Sequence, residues 1–316
     1  MAATRIYYAS DVHGSNRCFR KFLNAAKFYQ ANVLVMGGDI LGKAIVFLEE
    51  VSPGMYVTEE HGHQVRLTTE AEVQAFEQRA SDRGLYPYRC RAGEPQELRD
   101  AGEIEPLFTR LMRERLEAWI ALADERLAGT GVRCFIMGGN DDPPGVLEVL
   151  GEGHVVCNPE DHVVLLDDAS EMISCGWSNP TPWQTPRECS EEELGKRIEA
   201  LMAQVKQPES LVMNLHVPPF QSGLDDAPEL DASLKVQTSL GQTRFKPVGS
   251  TAVRAAIERY QPLLGLHGHV HEAHASCKIG RTVCINPGSD FSEGILHGVL
   301  VTLNKGKLKG YQMVSG

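Results

Sequence analysis

No apolar run in this chain approaches the roughly 18 residues that a membrane-spanning helix needs, although 42% of its 316 residues are hydrophobic. An apolar leader core is missing too: Arg5 is followed at once by Ile6-Tyr7-Tyr8-Ala9, which reads as a first strand, so no signal peptide is expected. Basic residues are outnumbered, 31 against 42 acidic ones for a formal charge of -11, which argues against a nonspecific duplex-DNA surface. A nucleotide stays open as a substrate, because bound dications would reverse the local field. The eight cysteines (Cys18, Cys90, Cys134, Cys157, Cys175, Cys189, Cys277, Cys284) include no close Cys-x-x-Cys pair. Several fall in apolar runs, so they read as small buried hydrophobes of a reducing cytoplasm rather than a disulfide frame. Internal repeats, low-complexity tracts and coiled-coil heptads are absent as well. The expectation is a cytoplasmic globular protein with one large domain spanning 1–316 and a sizeable insert.

What is present is a series of short apolar strands, each ending in chemistry. Residues 4–10 run into Asp11-Val12-His13-Gly14-Ser15, and a helix follows with Phe19, Phe22, Leu23 and Ala26 on one face and Ser15 or Asn16 as its cap. Asn32 to Met36 is a second strand, closed by Gly37-Gly38-Asp39, so the segment is a βαβ unit with a parallel core. The rhythm resumes at Arg133-Cys134-Phe135-Ile136-Met137, which ends in Gly138-Gly139-Asn140-Asp141-Asp142. Further strands are expected at 154–157, 162–166, 171–176 and 210–215, the last ending in His216, with a charged helix at 190–206. After a helix at 251–260, the run Pro262 to Leu266 ends in His267-Gly268-His269-Val270-His271. If the strand continues, alternation points His269 and His271 to one side. The segments 275–279, 281–285, 295–303 and 307–314 read as an antiparallel meander, and 221–249 as a polar, mobile loop whose Asp225, Asp226, Arg244 and Lys246 are weak candidates for substrate contact.

Residues 43–130 interrupt the pattern and are too long for a connection. Met55-Tyr56-Val57 and Gln64-Val65-Arg66-Leu67 suggest a hairpin around His61 and His63, Thr69 to Arg79 reads as a helix capped by Thr68 or Thr69, 84–106 reads as loop, and 107–127 as a second helix. The insert is therefore expected to be a hairpin-plus-helix subdomain, lying over the site or forming a homo-oligomer contact.

In α/β sheets, ligands bind outside the carboxyl ends of the strands. The strand ends collect Asp11, His13, Asp39, Asn140, His216, His269 and His271: two carboxylates, one amide and four imidazoles. That exceeds what one tetrahedral ion takes and fits two divalent ions sharing a carboxylate. Nitrogen and oxygen donors without thiolate suit Mn, Fe, Zn, Co or Ni. His61, His63, His154 and His162 lack such a setting, and His274 and His297 are weak candidates for supporting roles.

The order Asp-x-His, Gly-Asp, Gly-Asn-x-Asp, His, Gly-His-x-His resembles the calcineurin-like metallophosphoesterases, and most of all their single-domain bacterial and archaeal cyclic-phosphodiesterase-like members. The likeness covers about 1–42, 132–216 and 262–303 but not the insert. It implies a four-layer α/β/β/α sandwich with mixed sheets, and hydrolysis of a phosphodiester or phosphomonoester by a hydroxide bridging the ions. It also implies that Asp11, His13 and His271 hold one ion, that Asn140, His216 and His269 hold the other, and that Asp39 bridges them. Asn140, Asp141 and His216 are the residues expected next to the reacting phosphate.

Two departures stand out. Many members read Gly-Asn-His-Asp/Glu, their histidine assisting the leaving group, where this chain has Asp141. A carboxyl there could act as an acid only if kept protonated; the alternative is a turn carboxylate that orients Asn140. Bacterial UDP-sugar-lipid pyrophosphatases also resemble the pattern and also replace that histidine, so hydrolysis stays open. Gly42 stands where many members have a second aspartate. Competing with a small-phosphoester hydrolase are a metal-binding regulatory scaffold with vestigial catalysis and, against the charge balance, a nuclease.

Overall fold

The computed structural model describes residues 3–60, 62–231, 233–239 and 241–316, so His61 lies outside the described residues. From the N terminus run β1 (Thr4–Ala9), α1 (Asn16–Phe28), β2 (Val33–Gly37), β3 (Ile45–Ser52), β4 (Met55–Glu60), β5 (His63–Leu67), α2 (Glu70–Asp82), β6 (Tyr86–Arg91), α3 (Glu94–Asp100), α4 (Ile104–Leu127) and β7 (Arg133–Met137). Then come α5 (Pro144–Leu147), β8 (Val156–Cys157), β9 (Val164–Asp167), β10 (Ser170–Cys175), α6 (Glu191–Met202), β11 (Val212–Leu215) and the short β12 (Asp226–Pro228), β13 (Thr238–Ser239), β14 (Gln242–Thr243) and β15 (Phe245–Pro247). The chain closes with α7 (Thr251–Tyr260), β16 (Leu264–Leu266), β17 (Ala275–Ile279), β18 (Thr282–Asn286), β19 (His297–Asn304) and β20 (Lys307–Ser315).

Two six-stranded sheets form the body, in the orders β20-β19-β1-β2-β7-β8 and β17-β18-β16-β11-β10-β9. Period-two alternation explains how continuous apolar strands serve two cores at once. Ile6 and Tyr8 of β1, with Val33 and Val35 of β2, pack between the sheets against Met172, Val212, Leu264 and Ile285. The intervening Tyr7, Ala9, Leu34 and Met36 face outward onto α1 and α4. On the far side, Ile173, Met213 and Leu215 meet Leu194, Ile198 and Ile257 of α6 and α7. The result is the four-layer α/β/β/α sandwich, with each fully buried aliphatic or aromatic side chain contributing about 1.5–3 kcal/mol. Helix α1 starts where Ser15 Oγ accepts from the Cys18 amide at 3.2 Å, and Phe19 stacks on Trp119 of α4 at a centroid distance of 4.2 Å.

The structure corrects several expectations. Residues 84–106 are not loop: β6 pairs in parallel with β3, completing a four-stranded sheet β5-β4-β3-β6, and α3 follows. The Tyr86-Pro87-Tyr88-Arg89-Cys90 run offers alternation, but its partner β3 is distant in sequence, so periodicity alone could not set it in a sheet. The C-terminal segments are not one meander. Hairpin β17–β18 joins the second sheet, where β18 lies parallel to β16, whereas β19–β20 joins the first beside β1. Within 43–130 the hairpin and α2 keep a small core of their own (Leu48, Leu67, Val73, Phe76), but Leu116, Trp119 and Ile120 of α4 belong to the main one. The 221–249 segment carries the β12–β15 ribbon, and Asp225 is buried there, accepting from the Gln221, Ser222 and Gly249 amides, so it ties down the loop base and does not reach for a ligand.

Candidate metal centre

The parallel strands β1, β2, β7, β11 and β16 deliver their carboxyl ends to one crevice between the two sheets. Strand β16 stops at Leu266, so alternation is not what aims His269 and His271. A left-handed backbone at His269 (φ 68) turns the chain instead, and Asp11 (φ 56), His13 (φ 38) and Asp39 (φ 50) share that conformation. Such backbone costs on the order of 1–3 kcal/mol per residue and persists where surrounding contacts enforce it. Here the contacts are backbone bonds between neighbouring loops: the Asp11 amide donates to Gly38 O, the His13 amide to Asp39 O and the Gly14 amide to Ile40 O, at 2.8–3.0 Å.

Three groups of side chains result among the described residues. Asp11, His13 and His271 converge in the first, Asp39, His216 and His269 in the second, and His13, Asp39 and Asp141 in a third that shares members with both. In the first, His13 Nε2 lies 3.0 Å from His271 Nε2, and His271 Nε2 3.5 Å from Asp11 Oδ1. In the second, Asn140 Oδ1 lies 3.1 Å from His216 Nε2 and 2.7 Å from His269 Nδ1. Asp39 faces both, with Oδ2 3.8 Å from His13 Nε2 and Oδ1 3.3 Å from His216 Nε2. Donors bound to an ion at about 2.0–2.2 Å sit roughly 3.0–3.5 Å apart, so these spacings fit a cation in each of the first two groups. The donor set fits as well: two imidazole nitrogens facing each other need a cation or a proton between them. There is no room for a larger residue at Gly139, because its Cβ would collide with Asp39, nor at Gly268, where it would meet Asp11 and Ser10.

Neighbouring groups hold the donors in place. His216 Nδ1 faces the Gly37 carbonyl at 2.9 Å, which fixes the tautomer and leaves Nε2 free to ligate. Asn140 Nδ2 donates to Thr185 Oγ1 at 2.8 Å, and that hydroxyl donates to Glu188 Oε1 at 2.8 Å, so the amide oxygen faces the histidines. His269 N donates to both oxygens of Asp11 at 3.0 and 3.1 Å. His267, first of the three clustered histidines, sits apart, with Nδ1 2.8 Å from the Leu215 carbonyl. His274 and His297 lie beside each other at 5.0 Å, engaged by the Pro287 carbonyl, Asp290 and Ser315, and join none of these groups. His63, His154 and His162 stay outside the crevice.

Charge follows geometry. Burial, with the Lys43 cation close by, pushes His13 down to about 3, and burial beside His216 pushes His269 down to about 4. Burial also opposes a charge on His216, but Asp39 outweighs it and raises that imidazole to about 9. Without metal, His216 therefore keeps its proton at neutral pH, and an ion must displace it. Metal affinity is expected to rise with pH up to about 9, with proton release on metal binding near pH 7, because Asp11 raises His271 as Asp39 raises His216; calorimetry in buffers of differing ionisation enthalpy reads that release.

Reading the residues in order missed several contributors. Asp142 is fully buried and accepts from the amides of Gly139 (2.7 Å), Ile40 (3.0 Å) and Leu41 (2.8 Å), clamping the β2 and β7 loops together. Burial and Asp39 raise its carboxyl to about 7 against those three bonds. Asp142→Asn puts an amide group against backbone donors and is expected to cost about 2 kcal/mol in urea unfolding. The motif hinted at Asp142, but nothing local marks Thr185, Glu188 or the buried Arg187, whose Nη1 donates to Gly139 O at 3.2 Å. Asp141 donates its amide to Asp39 Oδ1 at 3.1 Å, and its carboxylate accepts from Lys43 Nζ at 2.5 Å; burial and the charge of Asp39 push its carboxyl above the usual carboxylate range against that ion pair. At Gly42 a Cβ would run into the Gly84 carbonyl, so a second aspartate does not fit there.

No family model matches the chain. An uncharacterised protein of Methanocaldococcus jannaschii, MJ1162, is 31% identical over 118 residues, 37% of this chain and 47% of that one, so the chain spans about half the length of the curated relative it matches. Among solved structures, TT1561 of Thermus thermophilus aligns over 100% of this chain and 99% of its own, with a TM-score of 0.56 and 13% identity, a likeness of fold. A dimetal phosphatase from Danio rerio aligns over 99% of this chain and 98% of its own, at a TM-score of 0.43 and 8% identity. No helix among the described residues is long and apolar enough to cross a membrane.

Proposed function

We propose that this chain, which has the calcineurin-like metallophosphoesterase fold, is a dinuclear metal-dependent hydrolase of a small phosphodiester or phosphomonoester. The observation that carries the reading is Asp39, whose two oxygens face two groups of buried and half-buried donors. Asp11, His13 and His271 would hold one ion, Asn140, His216 and His269 the other. When bound, two dications supply a nucleophilic water at neutral pH and offset charge on the phosphoryl oxygens. The chain's own part is to keep the donors rigid through Asp142, Thr185 and the Gly37 carbonyl, and to exclude bulk water from a buried floor.

The crevice opens into a cavity of about 610 Å³, walled by Leu41, Phe108, Met112, Trp183 and Val236. That size and apolar wall suit a small organic ester. Glu105 and Glu272 also line it, a poor surface for a polyanionic strand. None of the described residues of 54–67 lines the cavity, whereas α4 contributes Glu105, Phe108 and Met112, so the part of the insert region that bears on substrate preference is α4, and the hairpin is left as a candidate oligomer contact. A nucleotide remains a candidate ester.

The test is Mn-dependent hydrolysis of bis-p-nitrophenyl phosphate and a monoester panel, with metal content measured on the same sample. Turnover that disappears on chelation and returns with metal is expected. Two ions bound per chain with no turnover on any ester would favour a metal-binding scaffold instead, and anomalous scattering from the untreated protein would identify the native ions.

A further inference from the structure

Building on the phosphoesterase reading, we infer that Lys43 is a catalytic residue: its ammonium, anchored by Asp141, faces the oxygen that leaves phosphorus. The loop before Lys43 is immobilised residue by residue. Asp39 O and Ile40 O accept backbone amides from the His13 loop, the Ile40 and Leu41 amides donate to Asp142, and the Gly42 amide donates to Tyr86 Oη at 3.0 Å. Packing against the Gly84 carbonyl leaves Gly42 without room for a side chain, so Lys43 is the first residue after Leu41 able to present one to the cavity. Among the described residues lining that cavity it is the one lysine or arginine.

Its position is set from the opposite loop. Lys43 Nζ lies 2.5 Å from Asp141 Oδ2, and the same oxygen is 4.0 Å from His13 Nδ1, at the edge of the first donor group. Asp141 is in turn fixed through its amide to Asp39 Oδ1. An ammonium has three donors, and Asp141 engages one side of it. The rest of the side chain is open, 54% exposed, so the remaining donors are available to a ligand. A cation is thereby placed beside Asn140, where the motif carries a carboxylate, and it comes from a different loop.

In the reaction, a water oxygen bonds to phosphorus and the P–O bond to the leaving group breaks, its electron pair staying on the departing oxygen. The Lys43 ammonium offsets that charge as it develops, and the departing oxygen takes up a proton from the water consumed. Lysine keeps its own proton throughout, so what it contributes is electrostatic. Such help matters most when the leaving oxygen is basic. A phenol resembles the tyrosine side chain, with a pKa of about 10, and p-nitrophenol is far more acidic.

The experiment compares metal-loaded wild type, Lys43→Met and Lys43→Arg on paired phenyl and p-nitrophenyl esters, both monoesters and methyl diesters, with metal content checked in each. Lys43→Met is expected to lower kcat on the phenyl ester on the order of 100-fold, with a loss of about tenfold or less on the p-nitrophenyl ester, and Lys43→Arg to recover most of it. Titration of inorganic phosphate into the metal-loaded proteins gives a readout without turnover, and Lys43→Met is expected to weaken it about tenfold. Equal losses on both esters, or no loss with unchanged phosphate affinity, would overturn the assignment of Lys43 alone. A fully metallated wild type inactive on every ester would overturn the phosphoesterase reading and this proposal with it.

Discussion

Asp39→Ala is expected to reduce kcat/KM for bis-p-nitrophenyl phosphate on the order of 1000-fold, close to the limit of detection, and to lower metal content from two ions per chain to one or fewer. Both carboxylate oxygens are in use, one toward each donor group. On the dinuclear reading, removing them would take a donor from each ion and the negative charge that would offset repulsion between two neighbouring dications. Losing a single positioned donor in a preorganised site typically costs 100- to 1000-fold, roughly 2.7–4 kcal/mol. A residue shared by two ions would belong at or beyond the upper end. Asp39→Asn separates charge from shape: it keeps one acceptor oxygen but not the charge, and should also retain little activity. It should further reduce the proton release at neutral pH, because Asp39 contributes most to raising His216. Equal rates in wild type and Asp39→Ala, with the same metal content, would remove the dinuclear hydrolase reading.

Glu160→Ala is expected to destabilise the protein by about 3–5 kcal/mol, the usual result of leaving one partner of a buried ion pair uncompensated. Arg187 is 3% exposed and forms an ion pair with Glu160, which also accepts from the Gly176 amide at 2.8 Å. The same guanidinium lies over Trp177 and donates to Gly139 O, and the Arg187 amide donates to Asn140 O at 3.1 Å. The pair thus braces the turn that carries Asn140 from behind. Removing Glu160 strands a charge against that turn, so weakened metal binding should accompany the loss of stability. The double variant Glu160→Met, Arg187→Met is expected to be more stable than Glu160→Ala, since no buried charge is left. Chemical denaturation of the three proteins distinguishes the outcomes, and a Glu160→Ala variant within about 0.5 kcal/mol of wild type would show that the guanidinium finds water on its own.

Much of the architecture can be read locally. Apolar strands such as Val33–Met36 and Cys134–Met137 lie in one sheet because continuous burial on both faces demands it, and their glycine-bounded ends announce the crevice. Of the two threonines expected as caps for α2, Thr69 takes the position and forms a capping box with Glu72. What eluded a linear reading depends on pairing across long separations. Strand β6 is legible only against β3, and the four C-terminal strands divide between two sheets because the apolar Val299, Val301 and Leu303 fit beside β1.

The order of donor residues at the strand ends was enough by itself to name the kinds of atoms that gather and the cations they suit, since nitrogen and oxygen ligands are a property of residue type. Tertiary structure alone decided which oxygen of Asp39 looks toward which histidine, that left-handed backbone and not strand alternation aims His269, and that Lys43 meets Asp141. The physical reason is range: residue identity and backbone preference act over a few positions, whereas an ion pair or a shared ligand forms between loops that only the packing of two sheets brings within about 4 Å.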